Sequence, residues 1–315
     1  MIYVSLPVHE KFDVIANQLQ NFKKYLPEAM IVLHLSAGAH FSTKELDGFL
    51  KLNRVDNYII NPVQLNAAWG SIIEAHLSNV EFVLQQGDAQ KVIFHSSNDM
   101  LIREGLSSYL KDKTFLFHHR EVFPKSHWWP ANVAIDDIAF TDWLSVYGGA
   151  IVASQIEGSM YGVDFLREFN DQYQWRYKKS FSSLSYPREE FFFSSLARAF
   201  GIVADGLPYV FSEVHRFDKK LWAYYENMPL LLNNNPLSKK IKKQLIDKLF
   251  DYGDYKISIK DIEAIRNQDD RHFASIEYLS DGNNRWRIHT IDNLFAVKRV
   301  PRMMTDKIRQ YISSE

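Results

Sequence analysis

Short apolar runs alternate with helical patterns over the first hundred residues, and this alternation constrains the fold of the chain more than any other feature. Apolar runs of strand length occupy residues 2–6, 30–35, 58–60 and 91–95. Amphipathic helical spacing occupies residues 12–26, 42–52 and 69–86. Strands separated by helices form mainly parallel sheets that carry helices on both faces. The sequence therefore predicts an α/β fold with a mostly parallel, mixed sheet flanked by helices.

Residues with special backbone or capping chemistry mark the ends of these elements. Pro7 has no backbone N–H to donate, so we expect the first strand to end before it. Ser42 is followed three residues later by Glu45, which is the spacing of a capping box at a helix start. Gly87 favours a helix end because glycine readily adopts a left-handed backbone. We expect Trp69, at the start of the third helix, to pack in the core rather than to contact a ligand.

The fourth apolar run leads directly into a small polar cluster that ends in a carboxylate. Residues 96–99 read Ser-Ser-Asn-Asp. In open α/β sheets, ligands bind beyond the carboxyl ends of the strands, so we expect Asp99 to lie at the floor of a binding site. The alternative is a helix N-cap or loop role, which aspartate side chains often have at such positions. A further strand is expected at residues 113–118.

The composition excludes several classes of function. The formal net charge of the 315 residues is −1, which provides no global field for nucleic acid or for an anionic membrane. The absence of cysteine excludes disulfides, zinc–thiolate sites and cysteine nucleophiles, and it fits a reducing cytoplasm. The first ten residues lack the pattern of a signal peptide, and no apolar run approaches the roughly 20 residues that span a bilayer.

Common cofactor and metal signatures are missing from the sequence. Neither a G-x-G-x-x-G fingerprint nor a P-loop is present. His118, His119 and His127 are too irregularly spaced for a zinc signature.

Two further segments admit more than one interpretation. The adjacent Trp128 and Trp129 predict either an acceptor platform, because flat apolar rings stack on the C–H faces of sugars, or a buried loop anchor. A lysine-rich helical pattern at residues 239–248 predicts a solvated helix face. A peripheral contact with an anionic membrane is the alternative for this helix.

Seven short segments, taken in chain order, resemble landmarks of one enzyme family. They cover residues 8–9, 34–36, 69–71, 97–101, 158–161, 187–196 and 294–298. Residues 158–161 read Gly-Ser-Met-Tyr, similar to a Gly-Ser-x-Tyr/Trp element, and residues 294–298 read Leu-Phe-Ala-Val-Lys, similar to Leu-Phe-Ala-x-Lys. Together the segments resemble the core-2/I-branching β-1,6-N-acetylglucosaminyltransferases and peptide-O-xylosyltransferases, which are of GT-A type. The resemblance extends over nearly the full chain.

The resemblance implies a GT-A-like (Rossmann-like) fold in a single glycosyltransferase domain. Residues 1–110 form the nucleotide-sugar-binding half in this interpretation, and residues 111–232 form the acceptor and catalytic half. Residues 233–315 form a C-terminal helical and loop extension that returns to the donor phosphates. The implied reaction is an inverting transfer of N-acetylglucosamine or another hexose from a nucleotide-diphosphate donor, such as a UDP-sugar, to a hydroxyl of a glycan or lipid-linked glycan.

The resemblance assigns the catalytic base to Glu190, with its neighbour Glu189 as the alternative. An inverting transfer needs a base that takes the proton from the attacking acceptor hydroxyl. Without the resemblance, both residues read as solvated carboxylates in the first turn of a helix, where the helix dipole favours them. Tyr161 joins Trp128 and Trp129 as an expected acceptor contact.

The resemblance places the donor contacts at the strand ends and near the C-terminus. The expected donor-binding residues are Val8, His9, Ser36, Asp99, Arg271 and Lys298. In this interpretation Lys298 and Arg271 stabilise the leaving diphosphate where other GT-A enzymes use a divalent metal, so no metal or other cofactor is expected to be required. Lys298 could instead belong to an exposed basic pair with Arg299.

Several alternatives remain open at this point. Arg285 or Arg287 could replace Arg271, and Ser36 stands where the family usually has an aspartate that contacts the base, which leaves the base undetermined. A catalytically silent glycan- or nucleotide-binding protein of the same fold is a second class of function. A metal-dependent GT-A enzyme of another family, with Asp99 as its single carboxylate ligand, is a third. The lack of cysteine fits a bacterial relative that acts in lipopolysaccharide or capsule synthesis, in the cytoplasm or peripherally on the inner membrane.

Overall fold

The computed structural model describes the N-terminal two thirds of the chain in long segments and the remainder in shorter ones. The described residues are 1–9, 11–122, 124, 129–174, 184–211, 216–217, 240–241, 244, 257–273, 277–278 and 291–314. The strands are β1 (Ile2–Val8), β2 (Ala29–Leu35), β3 (Tyr58–Ile60), β4 (Lys91–Phe94), β5 (Met100–Leu101), β6 (Arg120–Glu121), β7 (Val152–Ala153), β8 (Met160–Gly162), β9 (Val210–Phe211), β10 (Arg216–Phe217), β11 (Glu277–Tyr278) and β12 (Ala296–Val297). The helices are α1 (Phe12–Tyr25), α2 (Thr43–Leu52), α3 (Ile72–Gln86), α4 (Leu106–Leu110), α5 (Trp129–Asp136), α6 (Ile138–Ser145), α7 (Val163–Gln172), α8 (Phe192–Ala199), α9 (Ile259–Arg266), α10 (Asp270–Phe273) and α11 (Lys307–Ser313).

Five strands form the central sheet in the order β3-β2-β1-β4-β8. The first four run parallel, and Val4 of β1 lies opposite Ile31 of β2 and Ile93 of β4. The last strand, β8, is antiparallel to β4. The sheet is therefore mixed and mostly parallel, with helices between its parallel strands, which confirms the predicted α/β class.

Alternate residues of β1 supply two separate apolar cores, one on each face of the sheet. Val4 and Leu6 pack with α1, α2 and α4 on one face. Tyr3 packs on the other face with α3, α7 and α8. This division follows from the strand pleat, which directs successive side chains to opposite faces.

The first strand passes through Pro7 and ends at Val8, so the expectation that proline ends it is wrong. The reason lies in the pairing of β1. Its pairing with β4 ends at Ser5, whose carbonyl oxygen accepts a hydrogen bond from the His95 N–H. Because hydrogen-bonding direction alternates along a parallel strand, the nitrogen of Pro7 points to the side that β4 has already left. The missing N–H therefore costs no ladder hydrogen bond.

The predicted helix start at Ser42 and the predicted helix end at Gly87 are both confirmed. Ser42 accepts a hydrogen bond from the Glu45 N–H, and the Glu45 carboxylate accepts one from the Ser42 N–H, which completes the capping box of α2. Gly87 follows α3 with φ +80°, in the left-handed region. The start of α2 and the end of α3 are therefore each set by local residue types. Ser42 and Glu45 pair with backbone N–H groups that lack a partner within the helix, and Gly87 adopts the left-handed backbone that ends a helix.

A second, three-stranded sheet joins distant parts of the chain in the order β5-β12-β9. The two residues of β12 pair antiparallel with β5 and parallel with β9. Beyond β12, the Val300 N–H donates to the Asn98 carbonyl oxygen at 2.9 Å. The C-terminal segment therefore returns to the polar turn that follows β4.

The strand predicted at residues 113–118 is not formed as such. Leu116 makes isolated bridges to Met160 and Gly206, and the short strand β6 follows later and pairs with β7. In the described part of the chain, no helix combines the length and apolarity that crossing a membrane requires. Most of the basic segment at residues 239–248 lies outside the described residues.

Candidate functional site

Asp99 ends the polar turn after β4, and its side chain is fully buried beneath that turn. Its Oδ2 accepts a hydrogen bond of 2.9 Å from the Ser96 N–H and lies 2.9 Å from Nδ1 of His95. Gln18 of α1 donates from Nε2 to the carbonyl oxygens of Ser96 and Asp99, at 2.9 and 2.8 Å. The expectation that Asp99 contacts a donor directly is therefore wrong for this structure. Its side chain is enclosed and holds the backbone of the turn through Ser96 and His95.

The buried contacts of Asp99 extend further through His95. His95 continues the network, with Nε2 2.7 Å from the Tyr209 hydroxyl. Burial raises the pKa of Asp99, although His95 opposes the rise. Among the described residues, no three His, Asp or Glu side chains gather as a metal-binding group, and the independence from metal stays a prediction.

Glu157 and Lys298 form a buried ion pair beside this turn. Lys298 Nζ lies 2.9 Å from Glu157 Oε2, and Glu157 Oε1 accepts a 2.9 Å hydrogen bond from Ser96 Oγ. Burial opposes ionisation of Glu157, but the ammonium of Lys298 outweighs it and lowers the pKa of the carboxyl. Burial likewise disfavours the charge of Lys298, yet the neighbouring carboxylates raise its pKa. Both partners are therefore charged at neutral pH.

Local backbone geometry brings these two charges together from distant positions in the chain. Glu157 precedes Gly158, which has φ +78° and could not carry a Cβ, since that atom would lie 2.7 Å from Val210 Cγ2. The Gly158 N–H donates to the Phe94 carbonyl oxygen at 2.8 Å, so Glu157 lies next to the end of β4. Lys298 follows β12 directly and reaches the same place from the other sheet.

Arg299, next to Lys298, has φ +63°, a conformation that L-residues other than glycine rarely adopt. The hydrogen bond from Val300 to Asn98 holds the chain on the far side of this residue. Arg302 then donates from Nη2 to Ser97 Oγ at 3.1 Å. The C-terminal segment is thus fixed against the turn by several contacts. The alternative of an exposed basic pair is wrong for Lys298, which is buried.

Glu190 lies in the 3₁₀ turn Arg188–Glu190 that precedes α8, and its side chain is partly exposed. Its carbonyl oxygen accepts a 2.8 Å hydrogen bond from the Ser154 N–H, which holds the turn next to β7. Burial raises the pKa of Glu190 to about 7, against the opposing effect of Lys298. Weaker effects come from the charges of Glu157, Arg120 and Arg299. The structure therefore brings the acidic turn and the near-terminal lysine together, and it gives Glu190 a carboxyl that gains and loses its proton near neutral pH.

Glu189 occupies a different environment from that of its neighbour. Its side chain is buried, and Oε2 has no hydrogen-bond partner among the described residues. Burial raises its pKa well above the usual value. Burial thus disfavours the ionised form of Glu189, and its side chain is enclosed while that of Glu190 is partly exposed, so the geometry favours Glu190 as the base.

The predicted donor residues at the ends of β1 and β2 are placed close together, with different exposures. Val8 has a fully buried side chain, which excludes a side-chain contact with a donor and corrects that expectation. Its carbonyl oxygen accepts a 3.0 Å hydrogen bond from the Ser36 N–H. Ser36 is nearly buried and accepts a 3.1 Å hydrogen bond at Oγ from the Ala67 N–H. His9, just beyond β1, is exposed.

The remaining cationic prediction, Arg271, lies apart from this group of charges. Its side chain is 91% exposed and pairs with Asp269 at 2.9 Å. Arg120 and Arg299 are arginines whose charge lowers the pKa of Glu190. The alternatives Arg285 and Arg287 lie outside the described residues.

Tyr161 lies in the apolar core, so the expectation that it contacts an acceptor is wrong. Its ring packs against those of Phe117 and Phe165, with centroid distances of 5.7 and 5.3 Å. The side chain belongs to β8, whose pleat directs it into the core that contains α7 and α8.

Two tryptophans lie at the surface instead. Trp69 is 60% exposed and Trp129 is 51% exposed, and their ring centroids lie 5.5 Å apart. The expectation that Trp69 packs in the core is therefore wrong, because α3 begins only at Ile72 and leaves Trp69 in the preceding turn. Trp129 is not a buried anchor, and Trp128 lies outside the described residues.

Sequence patterns missed several residues of the site. Glu157 stands directly before the Gly158-Ser159 pair and could have been noticed there, because a glycine that must accept a close backbone neighbour often marks a functional turn. His95 and Tyr209 gave no signal, since their contact joins residues 114 positions apart. Arg120 likewise follows no recognisable spacing.

Comparisons with known proteins give a weak structural likeness. No family model and no curated protein sequence matches the chain. Among solved structures, it is similar to an active-site mutant of the galactosyltransferase LgtC, with a TM-score of 0.35 and 12% identity over 76% of this chain and 82% of that one. It is similar to a 4-diphosphocytidyl-2C-methyl-D-erythritol synthase, with a TM-score of 0.35 and 12% identity over 78% of this chain and 99% of that one. It is also similar to TarS of S. aureus, with a TM-score of 0.35 and 14% identity over 82% of this chain and 46% of that one. A likeness of this size carries no argument about family or activity.

Proposed function

We propose that the protein is an inverting glycosyltransferase that moves a sugar from a nucleotide-diphosphate donor to a hydroxyl of a glycan, with Glu190 as the catalytic base. The observation that carries this proposal is the partly exposed Glu190 carboxyl, with a pKa of about 7, beside the cation of Lys298. Bases with a pKa near the working pH combine the correct protonation state with a useful driving force for proton transfer.

The surrounding carboxyl groups single out Glu190 as the one that meets the acceptor. In an inverting transfer, one base takes the proton from the attacking hydroxyl while the diphosphate leaves. Glu157 is engaged by Lys298 and Ser96, Glu189 is buried, and Asp99 lies beneath the turn. Among the described carboxyl groups of this site, Glu190 is thus the one suited to meet a substrate hydroxyl.

The basic residues near Glu190 suit a donor whose leaving group is a diphosphate. Lys298, Arg120 and Arg299 all act on the Glu190 carboxyl, so their charges lie in its neighbourhood. Fixed cations that face a developing negative charge stabilise the transition state without reorganising. A UDP-sugar donor, a surface-polysaccharide acceptor and a position in the cytoplasm or on the inner membrane complete the proposal.

The donor class can be tested by thermal unfolding in the presence of nucleotide sugars. A ligand that binds only the folded state raises the melting temperature, and the rise grows with the logarithm of its concentration relative to Kd. We expect a rise with UDP-sugars and little change with GDP- or CMP-sugars, followed by release of UDP when an acceptor glycan is added. A chain stabilised by none of these donors would contradict the proposal.

The pH dependence of turnover follows from the raised pKa of Glu190. The base must be deprotonated to accept a proton, so kcat/KM is expected to rise with pH, to reach half its maximum at about 7 and to level off above. The measurement is a pH profile with saturating acceptor and limiting donor. A profile that is level from acidic to neutral pH would exclude Glu190 as the base.

Removal of divalent metal is expected to leave turnover unchanged. The reason is that Lys298 and its neighbouring arginines supply the positive charge that a metal ion provides in other enzymes of this chemistry. Donor turnover is measured after dialysis against excess EDTA and again after addition of Mn²⁺. Complete loss in EDTA with recovery in Mn²⁺ would reject the cationic mechanism.

A further inference from the structure

Trp69 and Trp129 form an exposed aromatic pair on the surface next to the turn that carries Glu190. Contiguous exposed apolar surface, unlike single exposed apolar residues, often marks a binding site. Both indoles keep half or more of their surface exposed, although their centroids lie 5.5 Å apart with a tilt of 44°. The two rings thus present one apolar surface.

The first tryptophan is held by the segment that leads to the catalytic turn. Arg188 donates from Nη1 to the carbonyl oxygen of Gly70, the residue after Trp69, at 3.0 Å. Gly70 has φ +83°, and a Cβ there would lie 3.6 Å from Ser185 Cβ and closer still to the Ser185 hydroxyl. The Trp69 turn is therefore packed directly on residues 185–188, two residues from Glu190.

The second tryptophan is connected to the same segment through a different contact. Trp129 begins α5, which packs against α6. Asp137 caps α6 by accepting a 3.2 Å hydrogen bond from the Phe140 N–H, and its other oxygen accepts one of 2.8 Å from the Tyr186 hydroxyl. Residues 186–188 thus contact both the turn that carries Trp69 and the N-terminal cap of the helix next to α5. Glu190 follows two residues later in the chain.

We propose that the Trp69–Trp129 pair is a carbohydrate-binding platform that receives a pyranose ring of the acceptor glycan. A pyranose with equatorial hydroxyls has an apolar C–H face that stacks on indole and a polar edge that hydrogen-bonds to carboxylates and guanidinium groups. The apolar pair lies beside the turn that carries the partly exposed carboxyl of Glu190, which matches this division between face and edge. The part the platform takes in transfer rests on the proposed function, but carbohydrate binding by the pair does not.

The test uses the full chain and the indole N–H signals of its seven tryptophans in ¹H–¹⁵N NMR spectra. The probes are lactose, cellobiose and N,N′-diacetylchitobiose, with mannitol as an open-chain polyol control. The signals of the pair are assigned from Trp69→Phe and Trp129→Phe. We expect at least one disaccharide, and not mannitol, to shift both assigned signals. Trp69→Ala and Trp129→Ala should each weaken that binding about tenfold, and the phenylalanine variants should retain part of it.

The matched control is Val203→Ala, which shortens another exposed apolar side chain, 79% exposed, and should leave binding unchanged. Because both tryptophans are exposed, their replacement should leave the melting temperature close to that of the parent chain, which is measured for each variant. Failure of every disaccharide to shift the two signals would overturn the proposal. Signals that move on dilution of the protein, and not on addition of sugar, would show a contact between copies and would also overturn it.

The platform and the transferase function can fail separately. Binding is measured without donor, and turnover is measured with the Glu190→Gln variant as a reference. Disaccharide shifts in a chain that turns over no nucleotide sugar would leave the platform standing and reject the transferase. Turnover that depends on Glu190 in a chain without such shifts would retain the transferase and reject the platform. If both hold, the tryptophan variants should raise the acceptor KM more than they lower kcat.

Discussion

Replacing Glu190 with glutamine is expected to lower turnover by about 10²–10⁴-fold while donor affinity stays nearly unchanged. Glutamine keeps the size of the side chain but cannot accept the proton of the acceptor hydroxyl. Its amide still occupies the turn that Ser154 holds through the Glu190 carbonyl oxygen, so the local backbone is preserved. The measurements are steady-state turnover and donor affinity by calorimetry. The matched control is Glu104→Gln, which changes an exposed carboxylate elsewhere on the surface.

The same variant should be more stable than the parent chain above neutral pH. The folded pKa of Glu190, about 7, lies above the ordinary value of 4.5, so folding favours the protonated form. The stability that this carboxyl contributes is complete below pH 4.5 and is lost as the pH rises through 7. A shift of this size corresponds to at most about 3.5 kcal/mol, since one pKa unit is about 1.4 kcal/mol. Glutamine never ionises and escapes this loss.

Glu189→Gln distinguishes the two neighbouring carboxyl groups. Burial raises the pKa of Glu189 and encloses its side chain, so its replacement should reduce turnover far less than that of Glu190. A larger loss for Glu189→Gln than for Glu190→Gln would reassign the base to Glu189. Equal and small losses would exclude both carboxyl groups as the base, and a parent chain without turnover would support the catalytically silent alternative.

The first hundred residues were predictable because their elements are set by local chemistry. The three residues of β3 and the capping box at Ser42 follow from side-chain spacing and from one hydrogen-bonding turn. Pro7 shows the limit of such local rules, since its effect depends on where β4 ends. The predicted sheet is right because helical and strand periodicities differ over long enough windows to be recognised.

The site itself depends on contacts that sequence periodicity cannot encode. Strand β12 has two residues, which is too few for any alternation, and yet it decides where Lys298 lies. The partner Glu157 is 141 positions away. Trp69 was expected in the core because its helix has an apolar face, but the helix begins three residues later. The side chain of Glu189 is buried and that of Glu190 is partly exposed. Two adjacent glutamates in a sequence give no sign of that difference.

Replacing Lys298 with methionine is expected to reduce the free energy of unfolding by about 3–5 kcal/mol, because Glu157 then keeps a buried charge without its partner. The measurement is urea unfolding at neutral pH with the slope compared between variants. The pKa of Glu157 is lowered in the folded state, so its contribution to stability is present above the ordinary value of 4.5 and is lost as the pH falls below it. The difference between the parent chain and Lys298→Met should therefore shrink in acid.

The double variant Glu157→Gln/Lys298→Met separates the stability of the pair from its effect on the base. It removes both charges, so it should recover most of the stability lost by the single variant. Lys298 lowers the pKa of Glu190 more than Glu157 raises it, and removal of both should therefore raise that pKa and move the midpoint of the activity profile to higher pH. A stable double variant with an unmoved midpoint would mean that Lys298 supports only the fold. An upward shift would show that the charge of Lys298 acts on the base, as expected if the ammonium lies beside the reacting groups.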